Sequence, residues 1–132
     1  MTVFVDTSAL YALVDRDDAQ NSVARDMLAR LLERDELVTH SYALLESIAL
    51  TQRRLRADGV RLLLHEILPV IETTVWIDEP RHAAGVAALV AALPSRVSLV
   101  DFVSFNVMRE LGITRAFAFD NDFAAAGFRT LP

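Results

Sequence analysis

Four carboxylates in this chain sit where a carboxylate is ordinarily avoided. Asp6 follows Val3-Phe4-Val5, and Glu46 lies between Ala43-Leu44-Leu45 and Ile48-Ala49-Leu50. Asp101 is flanked by Leu99-Val100 and Phe102-Val103, and Asp120 follows Phe117-Ala118-Phe119, with Phe123 three residues on. An ionised carboxylate near a dry core costs several kcal/mol or more unless it is paired or bound to a cation. Gathered together, four would repel one another, and a divalent cation between them would relieve both costs. Oxygen-only ligands at that density suit Mg2+ or Mn2+. Each acid also has a plainer role: Asp6 as a helix cap, Asp101 in the capping-box pattern Ser98-Leu99-Val100-Asp101, and Asp120-Asn121-Asp122 as a polar turn. Glu46 is too deep in its helix to cap. The chemistry rests on the four together.

The elements that must position them follow from periodicity. Val3 to Val5 predicts a buried parallel strand, and Thr7 and Ser8 are N-cap types for a short helix through Leu13 or Val14. Asp17 or Asp18 opens a second helix carrying Val23, Met27, Leu28, Leu31 and Leu32 on one stripe. A strand over residues 36 to 39 precedes a long helix from Ser41 with Leu44, Leu45, Ile48 and Leu55, stopped near Gly59. A helix over 60 to 68 is closed by Pro69, and residues 70 to 77 are strand-like. A helix from Arg81 to Leu93 ends at Pro94, and residues 97 to 100 lead into one from about Asp101 to Leu111, with Gly112 just beyond its end. Residues 116 to 119 form a strand, and a last short strand lies near 128 to 131. Short strands alternating with helices predict a three-layer α/β/α fold with a central, mainly parallel sheet of four or five strands, as one domain over 1–132. Asp6 and Asp120 then stand at carboxyl ends of strands, where open α/β sheets place their ligands. The helix starts near Glu46 and Asp101 face the same edge.

Composition narrows the class. Apolar residues make up 53% of 132 and mean hydropathy is +0.32, more apolar material than one small core absorbs, so a partner or self-association surface is expected. No stretch is long enough to span a bilayer and no signal peptide is visible, so the chain reads as cytoplasmic. The formal charge is −5, and all 13 basic residues are arginine. Without lysine, a haloacid-dehalogenase-like phosphatase, a receiver domain and a P-loop enzyme all lose a group they rely on. Ser8 also stands where the first of these wants a second aspartate.

Val5-Asp6-Thr7-Ser8-Ala9-Leu10, Glu46 in its apolar helix, Leu99-Val100-Asp101-Phe102-Val103-Ser104, Phe117-Ala118-Phe119-Asp120-Asn121-Asp122-Phe123 and Gly127-Phe128 together resemble the PIN-domain nucleases, in particular the VapC-like toxins of bacterial toxin–antitoxin pairs. The resemblance runs from Val3 to Phe128. It implies a Mg2+- or Mn2+-dependent endoribonuclease, with Asp6, Glu46, Asp101 and Asp120 as the catalytic and metal-binding quartet, supported by Thr7, Ser8 and Ser104. Relatives often carry a threonine two residues before the fourth acid, where this chain has Ala118, so Asp120 and Asp122 are alternatives for that role. One or two cations would bind the scissile phosphate, activate water for attack on phosphorus, and offset charge on the leaving 3′-oxygen. His40, His65 and His82 are not needed and read as structural or solvated.

Arg53 and Arg54, with Arg56 and Arg61 beyond them, are candidates for contacting an RNA backbone. They serve equally well as dipole-complementing surface residues. Tyr42 and Trp76 are expected in core or interface packing ahead of base stacking. The resemblance further implies a cognate antitoxin and a homodimer or higher oligomer, for which the helix from Arg81 to Leu93 is a candidate surface. The alternatives are an RNA-processing PIN nuclease that is no toxin, and a catalytically inactive PIN-like binding module.

Overall fold

Successive residues of a strand face opposite sides, and in the first strand that alternation divides the core in two. In the computed structural model, which describes residues 1–132, Val3 and Val5 belong to one apolar cluster and Phe4 to another. The chain runs β1 (Thr2–Val5), α1 (Thr7–Val14), α2 (Asn21–Arg34), β2 (Glu36–His40), α3 (Ser41–Leu62), β3 (Thr73–Val75), α4 (Glu79–Ala92), α5 (Leu99–Leu111), β4 (Arg115–Phe117), α6 (Asp122–Ala125) and β5 (Arg129–Leu131). The five strands form one sheet in the order β3-β2-β1-β4-β5, every pair parallel. The first three strands step outward one way, and the chain then returns past β1 to β4. The direction therefore reverses between β1 and β4, and a crevice opens above their carboxyl ends.

Parallel pairing calls for crossovers, and with the usual right-handed connection those before and after the reversal put helices on opposite faces. Leu10, Leu13, Ala24, Leu31 and Leu63 pack with Val3 and Val5 on one side, while Phe105, Met108 and Phe123 pack with Phe4, Val38 and Ala116 on the other. Helix α1 is buried at every position but Ser8, which accounts for its unbroken apolar run. Helix α5 ends as expected: Gly112 takes φ 69°, and Ile113 N donates back to Met108 O at 2.8 Å.

Several expected boundaries move. Helix α2 starts only at Asn21, because Asp15 and Asp18 first spend their carboxylates on turn amides, from Asp17 N and Gln20 N. Its buried stripe is Ala24, Met27, Leu28 and Leu31, and both Val23 and Leu32 are exposed. Gly59 does not stop α3. The backbone breaks at Arg56, with φ 58° and ψ −147°, and helical turns continue through a π turn at Leu63–Ile67 and a 3-10 turn at Leu68–Val70. A Cβ on Gly59 would come within 2.4 Å of Leu55 Cβ, so this glycine is where helix meets helix across the break. On α4 only Gly85 is fully buried, and a Cβ there would strike Val103 of α5 at 2.5 Å. No helix is long and apolar enough to cross a membrane.

Candidate functional site

Asp6 leaves β1 as the sheet ends and turns directly into α1. Its N–H still donates to Phe117 O of β4 at 3.0 Å, while its Oδ2 accepts from Ser8 N at 3.1 Å and caps the helix. The cap is therefore Asp6, not Thr7 or Ser8. The Ser8 hydroxyl donates to the same Oδ2 at 2.6 Å and accepts from Phe119 N at 2.9 Å. One hydroxyl thus ties Asp6 to the chain leaving β4, two residues after the strand and just before Asp120. Thr7 donates to Ala43 O at 3.4 Å and joins α1 to α3.

Oxygens of Asp6, Asp101 and Asp120 converge within 4.8 Å of one another above the β1–β4 crevice. Asp101 arrives from the first turn of α5, where Ser98 is the cap and accepts from Asp101 N at 3.1 Å. Its carboxylate is thereby left free to face the cluster. Asp120 Oδ1 accepts from Asp122 N at 3.1 Å, and the expected polar turn runs straight into α6. None of the molecule's ion pairs involves these three acids. Burial pushes Asp6 up to about 7; the Ser8 donors oppose the rise and the charge of Asp120 adds to it. Asp101 also stands near 7, first through burial and then through the charges of Asp6, Asp120, Asp122 and Glu46. Asp120 is raised by burial and by Asp122's charge, against that residue's amide.

This donor set fits a divalent cation. Opposite oxygens on one Mg2+ sit about 4.2 Å apart, so the separations here need only small rotations to close. Crowded together, the three carboxylates carry an electrostatic cost that such an ion would offset.

Glu46 is not part of the converging trio. It lies exposed on the second turn of α3 beside Leu45, itself 66% exposed, so its apolar sequence neighbours do not bury it. Its charge nonetheless reaches Asp101. Ser104 makes none of its hydrogen bonds to the acids. Fully buried, it donates to Val100 O at 2.9 Å and accepts from His40 Nε2 at 2.7 Å. That direction is fixed because His40 Nδ1 accepts from Ala43 N at 3.1 Å, capping α3. Burial drops the His40 pKa to about 4, so the ring is neutral and clamps α3 to α5. A histidine immediately before a predicted helix start was the available signal for this cap. Arg53 is exposed and outside every ion pair, while the Arg54 guanidinium lies 5.4 Å from the Tyr11 ring centroid. His65 is exposed, and His82 Nδ1 is 2.6 Å from Tyr42 Oη. The largest cavity, about 660 Å³ between α1, α2 and the far end of α3, is lined by none of Asp6, Glu46, Asp101 and Asp120. At the acid site Asp6 is buried, while Asp101 and Asp120 are partly exposed.

The PIN-domain family model matches residues 3–129. The 23S rRNA-specific endonuclease VapC20 of Mycobacterium tuberculosis is 32% identical over 136 aligned positions, covering 96% of this chain and 95% of the relative. The crystal structure of that protein, described as a sarcin–ricin-loop-cleaving toxin, superposes with a TM-score of 0.86 at 31% identity, over 96% of this chain and 95% of the other. FitAcB from Neisseria gonorrhoeae has a TM-score of 0.70 at 17% identity, over 100% and 97% of the two chains, and shares the fold.

Proposed function

The chain belongs to the PIN-domain family, and from that premise we propose that it is a Mg2+- or Mn2+-dependent endoribonuclease acting as the toxin of a toxin–antitoxin pair. The observation that carries this reading is the convergence of Asp6, Asp101 and Asp120 at the strand-order reversal with no cationic side chain among them. A cation held there supplies a Lewis acid for the scissile phosphate and a lower pKa for an attacking water.

The chain's own residues do the rest. Asp6, Asp101 and Asp120 bind the ion, with Glu46 and Asp122 adding negative charge at its edge. Ser8 orients Asp6, Thr7 holds α1 against α3, and Ser104 acts at one remove, through His40. Arg53 is the better placed of the two arginines to meet a phosphate, since Arg54 is drawn over Tyr11. Partly exposed acids at the sheet's rim suit a polymer, and the relative's name and structure make a ribosomal RNA loop the first substrate to try. The protein works in the cytoplasm, where an antitoxin restrains it, and exposed Val90 and Leu93 at the end of α4 serve self-association.

The test is inducible expression of the parent and of Asp101→Asn, with new RNA 5′ ends mapped after induction. Discrete cuts made only by the parent are expected. Equal cleavage by both would remove Asp101 from the reaction.

A further inference from the structure

Trp76 is the only tryptophan of the chain and is 71% exposed. A tryptophan offers 150–250 Å² of surface to burial, so leaving one in water forgoes a large stabilisation. Its position is fixed on both sides. Val75 packs against the second apolar cluster, and Ile77 N donates to Ser41 Oγ at 2.9 Å, which pins the chain after β3 to the start of α3. The ring is therefore presented to solvent by a held backbone.

Strand register sets the Trp76 backbone at the rim that carries the acids. Phe4, Val38 and Thr73 stand abreast across β1, β2 and β3. Two residues further along each strand, Asp6, His40 and Val75 are level, and Trp76 is one residue beyond. Two interstrand spacings separate the first strand from the third, so the backbone of Trp76 lies about 10 Å from that of Asp6 at the same rim. Between them run His40 and Tyr42, ring centroids 6.3 Å apart, with Tyr42 bonded to His82. Asp78 and Glu79 follow Trp76 closely in sequence and disfavour phosphate there, so the patch suits an uncharged face.

We propose that Trp76 is a stacking platform for a base of single-stranded or looped RNA, within a couple of nucleotides of the phosphate held at the acids. This rests on the nuclease reading for its substrate, but stacking and cleavage are separable in experiment. Base stacking on an aromatic ring is sequence-tolerant and is lost with the ring. Trp76 thus sets how firmly the strand is held, while the acids set how fast it is cut.

The lone indole is its own reporter. Titrating the Asp101→Asn protein with a short RNA oligonucleotide should quench and shift Trp76 emission saturably, in step with fluorescence anisotropy of labelled RNA. Trp76→Ala in the parent should raise KM about tenfold and leave kcat within about a factor of three, and Trp76→Phe should recover most of the loss. RNA that binds by anisotropy without altering Trp76 emission overturns the proposal, as does an unchanged KM in Trp76→Ala. So does a Trp76→Ala protein that sediments as a smaller oligomer with KM intact, since the ring would then cover a second copy. Quenching and a Trp76-dependent affinity without any RNA cleavage by the parent would instead sustain the platform and sink the nuclease.

Discussion

The two rims of the sheet treat aspartate in opposite ways. At the amino rim, Asp35 precedes β2 and takes the Arg115 guanidinium of β4 at 2.6 Å and the Met1 amine at 3.5 Å. The hydrogen bond from Arg115, with the two positive charges, holds its carboxyl below the usual range. At the carboxyl rim, Asp6, Asp101 and Asp120 have no such partner, and burial and mutual repulsion push them the other way. Residue type and sheet are the same, so the difference lies in whether the fold supplies the counter-charge. Where it does, the acid fastens strands together. Where it withholds one, the acid keeps its affinity for something from outside.

The sharpest way to break this contrast is to remove one acid from the unpaired rim. Loss of a partner one shell out from a metal typically costs 10–100-fold, so Asp101→Asn should cut ribonuclease turnover by more than about a hundredfold. It should also leave the cation-free protein at least as stable as the parent, because a repelling charge has gone. Thermal melts and a cleavage assay read both; a destabilised variant would contradict the picture of crowding.

Titration should separate the rims by sign. Acids raised to about 7 in the folded chain stabilise it below their ordinary range, near 3.8, and lose that contribution as pH rises through 7. In chelator, the parent should melt several degrees lower at pH 8 than at pH 5.5 relative to Asp101→Asn, and Mn2+ should reverse the gap. Asp35 runs the other way, stabilising at neutral pH and losing its contribution as pH falls through its lowered pKa. Parallel melting curves for parent and variant across pH would dismiss the crowding.

Ser8→Ala should slow cleavage about tenfold, within the span seen when groups that orient metal ligands are lost. It deprives Phe119 N of its acceptor and removes one of the two donors that hold Asp6 Oδ2, and restored turnover in Ser8→Thr would identify the hydroxyl as the cause. The smallest effect should come from the paired rim. Asp35→Asn should cost on the order of 1–2 kcal/mol in urea unfolding, between an exposed and a buried pair, and leave cleavage unchanged.

The unpaired acids were legible in the sequence because a charge against an apolar run is a local anomaly, visible at Asp6, Asp101 and Asp120 without knowing the fold. Strand order was not, since the reversal between β1 and β4 is a property of pairing and leaves no mark on either strand. The exposure of Glu46 was not legible for a related reason. Apolar neighbours along the chain imply burial only if a partner element covers them, and Leu45 beside it is exposed. Trp76, expected in core or interface packing, lies outside the core on the same account. Gly59 resembled a helix stop because open turns and close helix contacts both require glycine, and only the packing against Leu55 tells them apart. The break at Arg56 has no sequence signal at all.

Asp6 offers its two oxygens unequally. Oδ2 already takes both donors of Ser8, which leaves Oδ1 as the free ligand atom. A carboxylate held this way would offer an ion one oxygen, as a compact octahedral ion prefers, and would not readily swing to offer two, as calcium often asks. A serine hydroxyl thereby becomes a size filter, and calcium should protect the protein against heat less well than manganese at equal concentration.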